Sequence, residues 1–425
     1  MNYLENLFPK SGKLLDKKSK DTKVDPVKSK KWAIVSIASI PLVMTLGNSM
    51  LIPVLPVMEK RMGISAFQSS LIITVYSIVA IFLIPIAGYL SDHIGRKKVI
   101  IPSLIITGIG GIISGWASWQ MTDGYLIVLI GRALQGVGAA GAFPIVLPLV
   151  GDMFKGDDEV SGVLGEIETA NTLGKVLSPI LGSFLAGFIW FLPFFSIPIF
   201  SAISVVLMTF LVKSPKKEEN PLPFKDFIQK VKLIFTENGR WLYAIFFIGI
   251  IVMFVLFGVL FYLSDLLENK YGIHNLQKGL YLAIPLGALC TASYIIGKLI
   301  KKNRTLMKWI TFTSLLILGI AVGLLSFSNE LWFLLTMFLV AGTGIGASLP
   351  PLDALITESI EKEERGTITS IYSSMRFIGV AAGPPVIALM MKNSNSNQLI
   401  FILLASLSIA ASLATFLSIK PDKNT

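Results

Sequence analysis

The sequence predicts an all-α membrane protein of twelve transmembrane helices, arranged as two pseudo-symmetric six-helix bundles. Three observations carry this prediction. Of the 425 residues, 53% are hydrophobic and only 15% are charged, and a water-soluble chain of this length needs a far more charged surface. The apolar residues gather into twelve long runs, each near the roughly 20 residues that a spanning helix requires. Features of the first six runs recur in the second six.

The runs follow in order. The first 31 residues are polar and rich in lysine, and they read as a disordered cytoplasmic tail (1–31) that ends at Lys30 and Lys31. The stretch from Trp32 to Val57 is longer than the apolar core of a secretory signal and shows no small-residue cleavage site, so it reads as the first span. Further runs lie near 67–90, 98–119, 124–151, 162–189, 191–212, 241–264, 277–299, 307–326, 331–357, 364–391 and 398–419. Between the fifth and sixth only Pro193 punctuates Phe188 to Phe195, which predicts a very short connection. The bundles therefore cover 32–212 and 241–419, with a short tail at 420–425. The linker, 213–240, opens with a polar stretch from Ser214 to Pro223. There Phe224, Phe227, Ile228, Val231, Ile234 and Phe235 recur at helical spacing opposite Lys225, Asp226, Gln229, Lys230 and Lys232. That pattern predicts an amphipathic helix lying on the inner leaflet, its lysines toward anionic headgroups.

Charge placement gives the orientation. With both termini inside, only Lys60, Arg61, Lys270, Lys278 and Lys392 of the 37 Lys and Arg fall in outside loops, and Arg132, Lys175 and Arg376 fall within spans. The rest lie inside, as the positive-inside rule requires. This bias, rather than nucleic-acid binding, accounts for the net charge of +11. The predicted location is the cell membrane, with membrane lipids as surroundings. The single cysteine, Cys290, excludes a disulfide framework, and His93 and His274 are too far apart for local metal-ligand spacing. No metal and no cofactor are expected. A primary pump needs a phosphate-binding Gly-Lys-Ser/Thr loop and an intramembrane enzyme needs a catalytic cluster; the sequence has neither. An ion gradient is the expected energy source.

The repeat is local but ordered. "GVGAAGAFP" at 136–144 is similar to "GTGIGASLP" at 342–350, and the same offset carries Asp152 onto Glu358. Gly174 and Pro179 match Gly379 and Pro384, and Gly88 falls near Gly297. Two related halves around a central cavity are the usual build of a secondary transporter.

Three motifs then give a resemblance. The loop "GYLSDHIGRKK", 88–98, carries Gly88, Leu90, Asp92, Gly95, Arg96, Lys97 and Lys98, with His93 where arginine is usual. The fourth run reads "GRALQGVGAAG", 131–141, and the fifth reads "LGKVLSPILGS", 173–183, with Gly174, Pro179 and Gly182 in place and Ser178 and Ser183 where glycine is commoner. In order and on these spans, they resemble the signatures of the major facilitator superfamily, and the third resembles the antiporter motif of its drug:proton exporters. The resemblance implies alternating access, a small-molecule substrate, proton exchange and a monomer. It implies that Gly88, Asp92, Gly95 and Arg96 form a gating loop with Asp152, and that Gly174, Pro179 and Gly182 seal against proton leak.

Charges inside the spans mark the expected site, because an unpaired charge at that depth costs at least a few kcal/mol. Arg132 hardly releases a proton itself and would instead tune a nearby carboxylate. The carboxylates are Glu166, Glu168 and Asp353, with Glu166 placed first as proton carrier and Asp353 second; satisfied interfacial acids are the plain alternative. Asn171 and Lys175, four residues apart, share a helix face, and Arg376 is expected to pair with Asp353. With Tyr76 and Phe143 they are candidates for a substrate cavity. Tyr262 and Tyr372 are further aromatic candidates, for which core packing is the alternative. Trp116, Trp119, Trp309 and Trp332, near span ends, fit an interfacial belt. The leading expectation is export of amphipathic molecules or drugs in exchange for protons. The alternatives are a dedicated exporter of a metabolite or siderophore, a lipid flippase, or a nutrient symporter on the same scaffold.

Overall fold

A computed structural model of the chain describes residues 26–154, 157–213, 224–300, 303–359, 362–392 and 397–419. The terminal tails up to 25 and from 420, and the polar stretch 214–223, lie outside the described residues, as do the side chain of Glu358 and most side chains of the amphipathic segment. Among the described residues every regular element is helical.

Among the described residues, eleven helices are long and apolar enough to cross a membrane. They are Lys30–Met62, Ala66–Ile94, Arg96–Gln120, Tyr125–Met153, Leu192–Leu211, Gly239–Asn269, Asn275–Ile300, Arg304–Leu324, Leu331–Ile356, Thr367–Met391 and Gln398–Ser418. The twelfth span is the helix Asp157–Phe188, fifth in the chain. It stands apart in composition because Glu166, Glu168 and Lys175 interrupt its apolar character. Spans are numbered below in this chain order. An even number of spans brings both chain ends to one side of the bundle, here the terminal face; the opposite side is the distal face.

Several boundaries differ from the sequence pattern. Helix begins at Pro26, inside the stretch assigned to a polar tail. The first span continues past a short 3₁₀ turn at Ile52–Val54 into a helix Leu55–Met62, so Lys60 and Arg61 are helical rather than in a loop. The seventh span runs on to Asn269, five residues beyond its apolar run. Residues 189–191 alone separate the fifth and sixth spans. The linker segment from Phe224 is helical and breaks at Gly239, whose φ of 40° and ψ of −126° bend it away from the seventh span.

The two halves repeat each other in packing as well as in sequence. A Cβ at Gly136 in the fourth span would stand 2.4 Å from Tyr76 O of the second, and one at Gly342 in the tenth would stand 2.1 Å from Pro285 O of the eighth. A Cβ at Gly138 would likewise fall 2.4 Å from Ser103 O of the third span, and one at Gly344 2.7 Å from Ser314 O of the ninth. A Cβ at Gly379 would stand 2.1 Å from Ile250 O of the seventh span; Gly174, its counterpart, sits more loosely on Leu42 and Thr45 of the first, at 3.2–3.4 Å. Backbones pressed this close need hydrogen in place of a side chain, which is how small residues bind helices together in lipid.

The outer surface suits a bilayer. Phe82, Leu126, Phe210, Trp332 and Leu417 are exposed, with Phe210 at 80%. An apolar perimeter of this extent cannot face water. The halves meet along the second span against the eleventh and the fifth against the eighth.

Candidate functional site

The distal face is sealed where the halves meet. The end of the first span supplies the N-terminal half of the seal, and the seventh and eighth spans supply the other. Ser264 Oγ donates to Ile52 O at 2.9 Å and Lys278 Nζ donates to Pro53 O at 2.8 Å. Lys278 also meets Glu268 Oε2 at 3.3 Å, and Glu268 Oε1 takes His274 Nδ1 at 3.0 Å and Lys60 Nζ at 3.5 Å. Glu268 and Lys278 are almost fully buried. In the 3₁₀ turn at 52–54, Ile52 O accepts the backbone N–H of Leu55 and uses its second lone pair for Ser264 of the other half. Lys278, read from sequence as an outside loop charge, is instead a buried strut. Glu268 is hidden in the sequence because it lies past the end of an apolar run; its spacing ten residues before Lys278 is the only signal it leaves.

Below the seal, toward the terminal face, lies a small pocket between the halves. Ser49, Ile52, Pro179, Leu256, Leu282 and Lys175 are among its lining residues. Nearer the terminal face, a Cβ at Gly162 or Gly165 of the fifth span, or at Gly287 of the eighth, would meet nothing within 4 Å. The close contact of these two spans is on the distal side, where Gly279 presses on Pro179 O and Ser183. The second and eleventh spans stay together, with Thr74 Oγ1 donating to Ala381 O at 2.8 Å.

Four charges surround this space. Arg376 Nη1 stands 3.4 Å from Asp353 Oδ1. Lys175 has Glu168, Arg376 and Asp353 as its nearest charged neighbours. Glu168 accepts from Asn171 Nδ2 at 3.2 Å on both oxygens, and Thr45 Oγ1 donates to Asn171 Oδ1 at 2.6 Å, tying that face of the fifth span to the first. Tyr372 lies under Arg376, 5.6 Å from the guanidinium carbon to the ring centre. The structure thus brings together Glu168, Asn171, Lys175, Asp353 and Arg376. Glu166 is exposed at the terminal end of the fifth span and forms no ion pair among the described residues. Phe143 packs in the core of the N-terminal half, away from the Lys175 pocket.

Arg132 is fully buried, and its partners are neutral. Nε donates to Ile72 O at 2.8 Å, Nη1 to Gly47 O at 3.2 Å and to Gln135 Oε1, and Nη2 to Asn48 Oδ1 at 2.7 Å. The guanidinium also lies 4.6 Å from the centre of the Tyr76 ring. These contacts knot the first, second and fourth spans together. No carboxylate pairs with Arg132 among the described residues, so tuning of an acid by direct contact is not what the geometry offers.

The loop after the second span is a charge cluster on the terminal face. Arg96 donates to Ser91 Oγ at 2.7 Å, to Asp92, and through Nε to Asp152 Oδ2 at 3.0 Å. Lys97 Nζ caps the end of the sixth span through Thr209 O and Val212 O, where a cation complements the helix dipole. These partners all belong to the N-terminal half. His93 turns back onto its own helix, with Nδ1 2.9 Å from Tyr89 O. In the antiporter-like stripe, a Cβ at Gly182 would fall 2.0 Å from Met50 O, so the stripe is the seam between the fifth and first spans.

Residues 37–384 and 307–425 match the family model of the Major Facilitator Superfamily. The chain belongs to the major facilitator superfamily. Within it, the chain is 55% identical over 392 residues to the "Bacillibactin exporter" of Bacillus subtilis, covering 92% of this chain and 97% of that one. It is 27% identical over 276 residues to "Multidrug resistance protein 2" of the same organism, covering 65% and 66%. Among solved structures, the D-xylose-proton symporter shares the fold with a TM-score of 0.77 at 15% identity, covering 93% of this chain and 99% of that one. The chain is therefore a multi-pass membrane transporter of small molecules, not an enzyme.

Proposed function

We propose that this transporter exports bacillibactin, or a siderophore closely similar to it, by alternating access. The observation that carries the reading is the 55% identity to the bacillibactin exporter across nearly the whole of both chains. The general drug exporter anticipated from sequence alone is second, since the multidrug relative is far more distant. The geometry supports loading from the terminal face: the distal seal is shut, and a charged pocket lies beneath it. With the positive-inside bias of the loops, the terminal face is the cytoplasmic one, and the cargo leaves the cell.

Proton exchange is part of the proposal. Asp353, held against Arg376 in the cavity wall, is the favoured carrier, ahead of Glu168 and of Glu166, which stands exposed outside the cluster. Arg132 contributes by holding three spans rigid. The Arg96–Asp92–Asp152 cluster is the part that releases or re-forms as the terminal face opens and shuts, a two-state element of the kind alternating access needs. The transporter works as a monomer.

The test is complementation. A Bacillus subtilis strain lacking its bacillibactin exporter would carry this chain, and bacillibactin in the medium would be measured by mass spectrometry. Restored secretion is expected. An unrestored strain with the protein present in the membrane contradicts the reading.

A further inference from the structure

The ammonium of Lys175 is buried and has no hydrogen-bond partner among the described residues. Two carboxylates stand near it, yet both are engaged elsewhere. Glu168 is held by Asn171 and Thr172, its neighbours on the same helix. Asp353 is held by Arg376. Asn171 is in turn held from the first span by Thr45. The ammonium is left at the wall of a pocket whose other sides are mostly apolar, among them Leu256, Phe257, Leu260 and Leu286.

A buried ammonium with unused donors is costly unless something fills them. The two carboxylates beside it, Glu168 and Asp353, are engaged elsewhere, so the complement comes from the cargo. We infer that Lys175 is the subsite for an anionic oxygen on the cargo, and that the transporter selects anionic amphiphiles over cations. Two cations and two acids balance around the pocket, but the acids are turned away from it and the ammonium is not. An anion with an apolar body satisfies Lys175 and the leucine walls together, whereas a lipophilic cation meets an uncompensated positive charge. The inference rests on the exporter reading above and gives it a substrate class.

The experiment measures equilibrium binding to the purified full chain in nanodiscs, with three probes: bacillibactin, the anionic dye fluorescein and the cation tetraphenylphosphonium. Wild type, Lys175→Gln and Lys175→Arg are compared. Loss of a charge-assisted hydrogen bond predicts that Lys175→Gln weakens both anions by about tenfold or more. Lys175→Arg should recover most of that affinity, and tetraphenylphosphonium should bind Lys175→Gln at least as well as wild type. Anion affinities unchanged in Lys175→Gln overturn the subsite even if bacillibactin is bound. Conversely, Lys175-dependent binding of fluorescein with no binding of bacillibactin overturns the exporter reading and keeps the subsite. If Lys175→Gln loses all three probes, Lys175→Arg decides: retained anion binding supports the charge, and lost anion binding contradicts it.

Discussion

At Gly95 the backbone stands at φ 103° and ψ 140°, in a region that residues with a Cβ rarely enter. Nothing crowds the position, so the requirement is purely one of dihedral angle. Gly95→Ala should cost about 1–3 kcal/mol and appear as a lowered midpoint in detergent thermal unfolding; an unchanged midpoint would mean the turn relaxes. Gly95 is legible in the sequence because it sits in a motif. The buried pair Glu268–Lys278 is not, because neither residue belongs to a recognisable pattern and their partners in the other half, Lys60 for Glu268 and the carbonyl of Pro53 for Lys278, are more than 200 residues away in sequence. Its effect is testable. Removing one member of a buried pair leaves the other uncompensated, at about 3–5 kcal/mol. Lys278→Met should therefore favour opening of the distal face. In a Cys290→Ser background, a cysteine placed at Ser49 reports this by its reaction with an impermeant maleimide added from the distal side. The account predicts labelling at least about tenfold faster than with Lys278 present; equal rates would show that the strut does not hold the seal.

At the scale of elements, the sequence shows where spans and repeat lie, and the structure shows why the repeat exists. Gly136 and Gly342 are the same device in two halves, each letting a backbone carbonyl of a neighbouring span come within Cβ distance. Gly136→Ala and Gly342→Ala should each destabilise by about 1–3 kcal/mol through overpacking. Gly287→Ala, which meets open space, should be near neutral. Thermal unfolding of the three variants checks this, and a neutral Gly136→Ala would break the equivalence. What periodicity could not supply is the behaviour of the ends. The first span's turn at 52–54 and the extension of the seventh to Asn269 place polar residues past the apolar runs, yet those residues form the seal. Hydropathy reports lipid contact, and the seal touches protein instead. The charged cluster was legible as a list, since Glu168, Asn171, Lys175, Asp353 and Arg376 stand out in apolar runs. The Asp353–Arg376 pair was legible too, and it forms between the tenth and eleventh spans; that Lys175 meets neither acid was not, because spacing along the chain does not show which side chains of other helices are already engaged.

As a whole molecule, this carrier is sealed on its distal face, and on the reading proposed above it loads cargo from the terminal face and releases it opposite, driven by protons. The closed seal and the tied carboxylates describe one state; export requires the other, in which Lys60–Glu268 and Lys278–Pro53 part while the terminal face closes. Asp353→Asn should leave bacillibactin binding in place but abolish its response to a pH gradient, since an amide cannot take up the proton. If gradient-driven transport persists in that variant, Asp353 is not the carrier and Glu168 becomes the next to replace. The most direct measurement of proton-driven export is transport of bacillibactin in liposomes containing the purified chain, with the pH gradient imposed in either direction. The account predicts movement opposite to the proton flow, reversing when the gradient is reversed and absent from protein-free liposomes. Folded protein that moves no bacillibactin under either gradient would contradict it.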